Sequence, residues 1–155
     1  MVFWATPALE QISPLPIFDT RITGYSLDQA RLFLESLGPQ GIDLYTNLLQ
    51  KLDIPFPALL ASSIGLALFI LTPKRWGRWR IALLLLPLLG MICDYLENNL
   101  ILIMLEAGPT HITENIVDWA SKSTILKFQF NGIAVFALIL LIGTSVYKKH
   151  SRKNK

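Results

Sequence analysis

Apolar positions along the chain fall into three blocks rather than into amphipathic stripes. The first is Ile54 to Thr72, "IPFPALLASSIGLALFILT". The second opens at Ile81 with "IALLLLPLLGMI" and runs to Leu100 or Leu105, and the third is Phe128 to Tyr147, "FQFNGIAVFALILLIGTSVY". A hydrocarbon layer about 30 Å thick is crossed by roughly 20 helical residues, a length the first and third blocks reach. The second is interrupted at "CDYLENN". Its purely apolar part, Ile81 to Cys93, has 13 residues, roughly 20 Å of helix and too short to cross. The helix must therefore continue through Asp94 to Glu97 or beyond. A mid-span Asp costs about 2.5–3.5 kcal/mol on insertion scales, less near an interface, and the surrounding Leu and Ile offset it. This places Asp94 inside the outer half of the layer, with Glu97 and Asn98 near its edge. The pattern predicts an all-α membrane protein: a small transmembrane helical bundle with three visible spans, about 54–72, 81–103 and 128–147.

Lysine and arginine orient it. The link "PKRWGRWR" holds Lys74, Arg75, Arg78 and Arg80, and the tail 148–155, "KKHSRKNK", holds five more basic residues. The positive-inside rule makes both cytoplasmic, with Trp76, Trp79 and Tyr147 at that interface. Residues 1–53 carry six acids and three bases, and the loop 106–127 carries three acids and two bases. Both therefore face outward, and residues 1–53 form a non-cytoplasmic helical cap. The basic tail is a topology determinant that can also bind anionic lipid head groups. The same charges are needed for orientation, so the net charge of +3 does not argue for nucleic acid.

The flanking segments carry their own helix signals. In "SLDQARLFLESLG", Ser26 and Gln29 form a capping box and Gly38 fits the position just past a helix end. Leu27, Phe33, Leu34 and Leu37 make its apolar face. A second helix is predicted from about Pro39 to Asp53, with Pro55 and Pro57 interrupting its passage into the first span. "THITENIVDWASKS" reads as an amphipathic helix lying on the outer interface, with Ile112, Ile116, Trp119 and Ala120 on one side and Asn115, Asp118 and Lys122 on the other. The opening "MVFWATPALEQISPLPIF" lacks a charged leader and an apolar core, so it is not a signal peptide. An outward N-terminus then requires either unaided translocation or a further helix before this one, which would make four spans.

Helical spacing gathers the polar residues of the second span. Asp94, Glu97 and Asn98 share a face with Pro87, Gly90, Met91 and Ile101. Gly90 permits close approach of another helix just below the acids. The third span offers a matching stripe of Ser123 or Thr124, Lys127 and Asn131, and Asp53 precedes the first span at a similar depth. Asp53, Asp94, Glu97, Asn98, Lys127 and Asn131 thus map to one level as a binding or structural cluster. A lysine facing two carboxylates lowers the cost of burying either. The bland reading is a polar clasp joining spans two and three. The functional reading is a pocket for a cation, a proton or a lipid head group. In "IFDTRITGY", Asp19 and Arg21 can pair locally in a turn; alternatively Asp19, Arg21 and Tyr25 form a lid over the cluster.

Composition narrows the chemistry. The chain is 52% hydrophobic and 16% charged, against about 25% charged in soluble domains. A single cysteine, Cys93, and two distant histidines, His111 and His150, exclude a disulfide framework and His- or Cys-based metal sites. No metal or cofactor is expected. No nucleophile stands beside a base, and Ser62, Ser63, Thr144 and Ser145 read as small packing residues. Cys93 reads as a small buried hydrophobe.

Two pieces, "FDTRITGYSLDQARLFLESLGPQGIDLY" and the Asp94-x-x-Glu97-Asn98 motif in its Leu-rich span, resemble a group of small, uncharacterised multi-pass membrane proteins, bacterial in origin. The resemblance covers about residues 17–105, with Lys127 as a further match. It implies an additional helix before "FDTR" and no particular activity. The expectation is a membrane accessory or interaction protein centred on Asp94, Glu97, Asn98 and Lys127. The alternatives are a small lipid-binding or lipid-modifying enzyme at the outer leaflet, or a subunit of a proton- or cation-coupled transporter. Its partners would be the lipid bilayer and further copies or other subunits. Its location would be the plasma (inner) membrane in a bacterium, otherwise an endomembrane.

Overall fold

The computed structural model describes Leu9 and residues 11–153. Residues 1–8 and 10, on which much of the leader reading falls, and the last two residues of the basic tail lie outside the described residues. Every regular element among the described residues is helical. A 3-10 turn, Phe18–Thr20, is followed by α1 (Leu27–Leu52), α2 (Pro55–Leu71), a second 3-10 turn (Lys74–Trp76), α3 (Arg78–Ala107) and α4 (Glu114–Lys153).

Local chemistry sets the helix ends. At the start of α1, the Ser26 N–H donates to Gln29 Oε1 at 3.0 Å and the Gln29 N–H donates to Ser26 Oγ at 3.3 Å. This reciprocal capping box satisfies two otherwise orphaned donors. Gly38 takes φ 59° and kinks α1 into two limbs, a conformation open to glycine at little cost. Pro39 follows it, and its missing N–H fits the start of the second limb. The same preference ends α1 and begins α2: Asp53 and Ile54 form a turn, and Pro55 opens the next helix. Between α2 and α3, Arg80 folds back, its guanidinium 3.9 Å from the Phe69 ring centroid and donating to the Phe69 carbonyl at 2.5 Å.

The polar patch lies inside a helix and not at its end. α3 runs unbroken for 30 residues, about 45 Å, from Arg78 past Asp94 and Glu97 to Ala107. It is longer at both ends than the 81–103 expected. The third apolar block likewise belongs to a longer helix. α4 spans 40 residues from Glu114, so "ENIVDWASKS" is its first three turns and not a separate helix lying on an interface. No glycine or proline interrupts residues 114–131, and backbone hydrogen bonding simply propagates through them. The face predicted for that segment is also corrected. Trp119 is 55% exposed, whereas Val117, Ala120, Ser121 and Thr124 are buried. Small residues on this stripe let the cap and α3 approach closely, and Trp119 points off to the side.

α3 and α4 form an antiparallel central pair, with α2 against both. Two apolar cores result. One joins the cap to the Ala107 end of α3 and the start of α4: Phe18, Tyr25, Phe33 and Tyr45 pack with Ile101, Met104, Leu105, Val117 and Ala120. The other lies nearer the basic link, where Ile64 and Leu68 meet Ala134 and Leu141. Elsewhere the helices turn large apolar side chains outward, among them Leu59, Leu66, Ile70, Ile81, Phe136 and Ile139. Among the described residues two helices, α3 and α4 over Glu114–Tyr147, are long and apolar enough to cross a membrane; α2, of 17 residues, is a shorter apolar helix. Ser62, Ser63, Thr144 and Ser145 are exposed on these surfaces and not packed. Three of them instead return their hydroxyls to their own helix, Ser63 to the Leu59 carbonyl and both Thr144 and Ser145 to that of Leu141.

Candidate functional site

Lys127 is the centre of the site. It projects from α4 with only 8% of its surface exposed. Its ammonium pairs with Glu97 Oε2, lies 3.4 Å from Asp94 Oδ1, and lies 4.0 Å from Asp19 Oδ1. One cation is thus shared by three carboxylates from two parts of the chain. Asp94 and Glu97 come from successive turns of one face of α3, and Asp19 from the 3-10 turn of the cap. Removing charges from water costs several kcal/mol per ion, and such groups persist inside a protein when paired and further hydrogen bonded. The further bonds are present. Thr124 donates its hydroxyl to Glu97 Oε1 at 2.6 Å, and Tyr45 donates to Asp19 Oδ2 at 2.9 Å.

The helix faces explain how these groups meet. Pro87, Gly90, Asp94, Glu97, Asn98 and Ile101 form one buried stripe on α3, as i, i+3 and i+4 spacing requires. Opposite, Thr124, Lys127 and Asn131 descend α4 in the reverse direction. A Cβ added to Gly90 would run into the Asn131 amide, so Gly90 is the gap into which Asn131 fits. At the other end, Gly24 takes φ 82° and a Cβ there would meet Ser121 Oγ at 2.6 Å. The Tyr25 N–H donates to that same hydroxyl at 2.8 Å. This contact docks the cap directly onto α4.

Asp53 and Asn98 occupy the same level but outside the ion-pair cluster. Asp53 is 5% exposed, with Oδ2 buried and unpaired. Burial, with Asp19 and Asp94 nearby, pushes its pKa up to about 7 against the pull of Lys127. Asn98 is 8% exposed and neither atom of its amide has a hydrogen-bond partner. A cavity of about 260 Å³ opens beside the cluster, with Asp19, Thr20, Asp53, Asp94, Lys127 and Asn131 on its polar walls. Ile17, Phe56, Leu60 and Phe128 supply its apolar lining.

The expected lid divides. Asp19 belongs to the cluster, and it does not pair with Arg21. Arg21 instead donates from Nε and Nη2 to the Pro16 carbonyl, at 2.9 and 2.7 Å. Its guanidinium stands 5.3–5.6 Å from the ring centroids of Phe18, Tyr25 and Phe33, where it covers the aromatic core. Tyr25 is buried, and its hydroxyl has no partner. Burial, together with the charges of Glu97 and Asp19, raises its pKa above the usual tyrosine value. Burial and the hydrogen-bonded Asp19 do the same to Tyr45. Tyr45 and Ser121 are additions that sequence reasoning missed. Tyr45 lies in a helix of leucines where periodicity treats it as one more apolar residue, and Ser121 lies in a segment read as an amphipathic helix on the interface, on neither of its named faces. Cys93 is half-buried and not the fully buried residue expected. Comparison with protein-family models, curated proteins and solved structures finds no match to this chain.

Proposed function

We propose that this chain is a multi-pass integral membrane protein with an accessory or interaction role, in which a membrane-buried ion-pair cluster holds an outer helical cap in fixed register with the bundle. The observation that carries the reading is Lys127, bound at once to Asp19 of the cap and to Asp94 and Glu97 of α3. Ionisable groups among apolar helices face the bundle interior and pair with one another.

Three helices cross in this reading. α3 and α4 have the required length and apolarity. α2, with 17 residues, is at the short end of the spanning range of roughly 17–25. Its flanks agree with crossing, because the acidic cap precedes it and the basic turn Lys74–Trp76 follows. The exposed Leu, Ile and Phe side chains of all three helices exceed what a water-facing surface carries, and lipid covers them. The cap itself presents Ile22 and Leu32, 59% and 58% exposed. They flank a shallow groove with Leu15 and Pro16, and this is the surface assigned to a protein partner.

The test is extraction from native membranes into lipid nanodiscs, followed by identification of bound proteins. Wild type should carry a stoichiometric partner that is lost in Leu32→Glu and in Lys127→Met but kept in Phe136→Ala. If wild type is found alone and turns over a lipid, with that turnover abolished in a folded Glu97→Gln variant, the enzymatic reading replaces this one.

A further inference from the structure

The cavity beside Lys127 holds more acid than its lysine neutralises. Asp19, Asp53 and Asp94 line it, Glu97 stands behind, and among the described residues Lys127 is the one basic residue in its walls. Lys127 is within 4.0 Å of Asp19, Asp94 and Glu97, while Asp53 keeps an oxygen that is buried and unpaired. A side chain 5% exposed with a free acceptor in a cavity wall is an incomplete hydrogen-bonding site. Its missing partner is a donor, and the surplus of carboxylates makes a positively charged donor the best one.

The geometry decides what kind. Metal cations such as calcium take six to eight oxygens at 2.3–2.6 Å. Among the described residues no three His, Cys, Asp or Glu side chains come together as such a set. An ammonium demands less: three donors that can be met by separate acceptors. Asp53 can take one, and the Asn131 and Thr20 oxygens stand in the same walls. The volume of about 260 Å³ is below the 300–1,000 Å³ range of drug-sized pockets, and suits a small head group and its first methylenes. The exit is apolar and lipid-facing: Phe56 and Phe128 are 46% and 39% exposed, and Leu60 lies beside them. A hydrocarbon tail leaving the cavity passes between them into the layer that covers α2 and α4.

We propose that this cavity binds the ammonium head of a membrane-borne amphiphile, with Asp53 as its counter-ion and Phe56, Leu60 and Phe128 guiding the tail into lipid. The proposal rests on the membrane reading above and gives the Lys127 site a ligand class. The Asp53 carboxyl, poised near neutrality by its burial among other acids, ionises when an ammonium arrives.

The probe is dodecylamine, added to protein in non-ionic micelles and scored as adducts by native mass spectrometry. Dodecanol supplies the same tail without charge, and butylamine the charge with little tail. Wild type should retain one dodecylamine, and neither control at the same free concentration. Asp53→Asn should weaken retention at least tenfold, the value of about one charge-assisted hydrogen bond. Leu60→Trp, which fills the mouth, should abolish it, and it decides the matter if Asp53→Asn loses its helical circular dichroism. Equal retention of dodecanol, or undiminished retention in a folded Asp53→Asn or in Leu60→Trp, overturns the proposal. Butylamine binding as tightly as dodecylamine overturns the membrane source in favour of a soluble amine. Failure to bind by a folded protein with the proposed topology removes the ligand alone. A failed topology, measured separately by cysteine labelling, removes the membrane reading itself.

Discussion

Replacing Lys127 by methionine keeps the shape of the side chain and removes its charge. Three carboxylates then face one another: Glu97, fully buried; Asp94, 8% exposed; and Asp19 on the cap. Breaking a buried ion pair by deleting one partner costs about 3–5 kcal/mol, because the other charge stays buried and uncompensated. Against a total stability of roughly 5–15 kcal/mol that loss is large. Deleting Glu97 alone is milder. Glu97→Gln leaves Lys127 with Asp94 and Asp19, and the amide oxygen can still accept from Thr124. The loss is that of one charged hydrogen bond, about 1.5–3 kcal/mol. Removing both should cost less than the sum, since one uncompensated acid disappears with the lysine. The assay is loss of helical circular dichroism on titrating mixed micelles with dodecyl sulfate, for wild type, both single variants and the double. A Lys127→Met variant within about 0.5 kcal/mol of wild type, the range of ordinary surface substitutions, would show that the three carboxylates do not depend on the lysine. So would strict additivity in the double variant, because groups in one network couple.

Other predictions follow from the same geometry. Gly90→Ala should destabilise by about 1–3 kcal/mol through overpacking against Asn131, and Asn131→Ala should restore most of it; no rescue would mean the two do not touch. Tyr45→Phe should cost about 1.5–3 kcal/mol by taking a donor from Asp19, checked by the same titration, with no change expected if Asp19 is solvated. Asp53 should make stability fall with rising pH. Its carboxyl is more easily protonated folded, near 7, than unfolded, near 3.9. The protonated form therefore favours the fold, fully below about pH 4, and that advantage is gone above about pH 7. Asp19, Asp94 and Lys127 face the same cavity, so the slope assigned to Asp53 is the part that Asp53→Asn removes. An unchanged pH profile in that variant would contradict the assignment.

Much of this arrangement is legible in the chain because short-range rules govern it. The capping box at Ser26, the kink at Gly38 and the break at Pro55 are local. The continuation of α3 through Asp94 follows from length, since 13 apolar residues cannot form a span. The shared face of Gly90, Asp94, Glu97 and Asn98 follows from helical spacing, and the meeting of Lys127 with that face from counting back along the third block. What was hidden depends on contacts distant in sequence. Nothing near Asp19 predicts that it reaches Lys127 while its neighbour Arg21 turns to Pro16 and the aromatic rings. The first turns of α4 are polar enough to resemble a surface helix; only the covering cap and α3 together make Val117, Ser121 and Thr124 interior. The orphaned oxygen of Asp53 is a property of packing, and no pattern of residue types announces it.

The proposal of a three-crossing bundle with an outer cap turns on α2, the shortest of its helices. Glu35, exposed on the cap, and Arg75, exposed in the basic turn, bracket that helix. In a Cys93→Ser background, single cysteines at these positions can be labelled in intact cells or sealed vesicles with a membrane-impermeant maleimide. Glu35→Cys should be labelled from the outside and Arg75→Cys only after the membrane is opened. Labelling of both from the same side would show that α2 does not cross, and would contradict the topology on which the cap, the buried cluster and its cavity are placed.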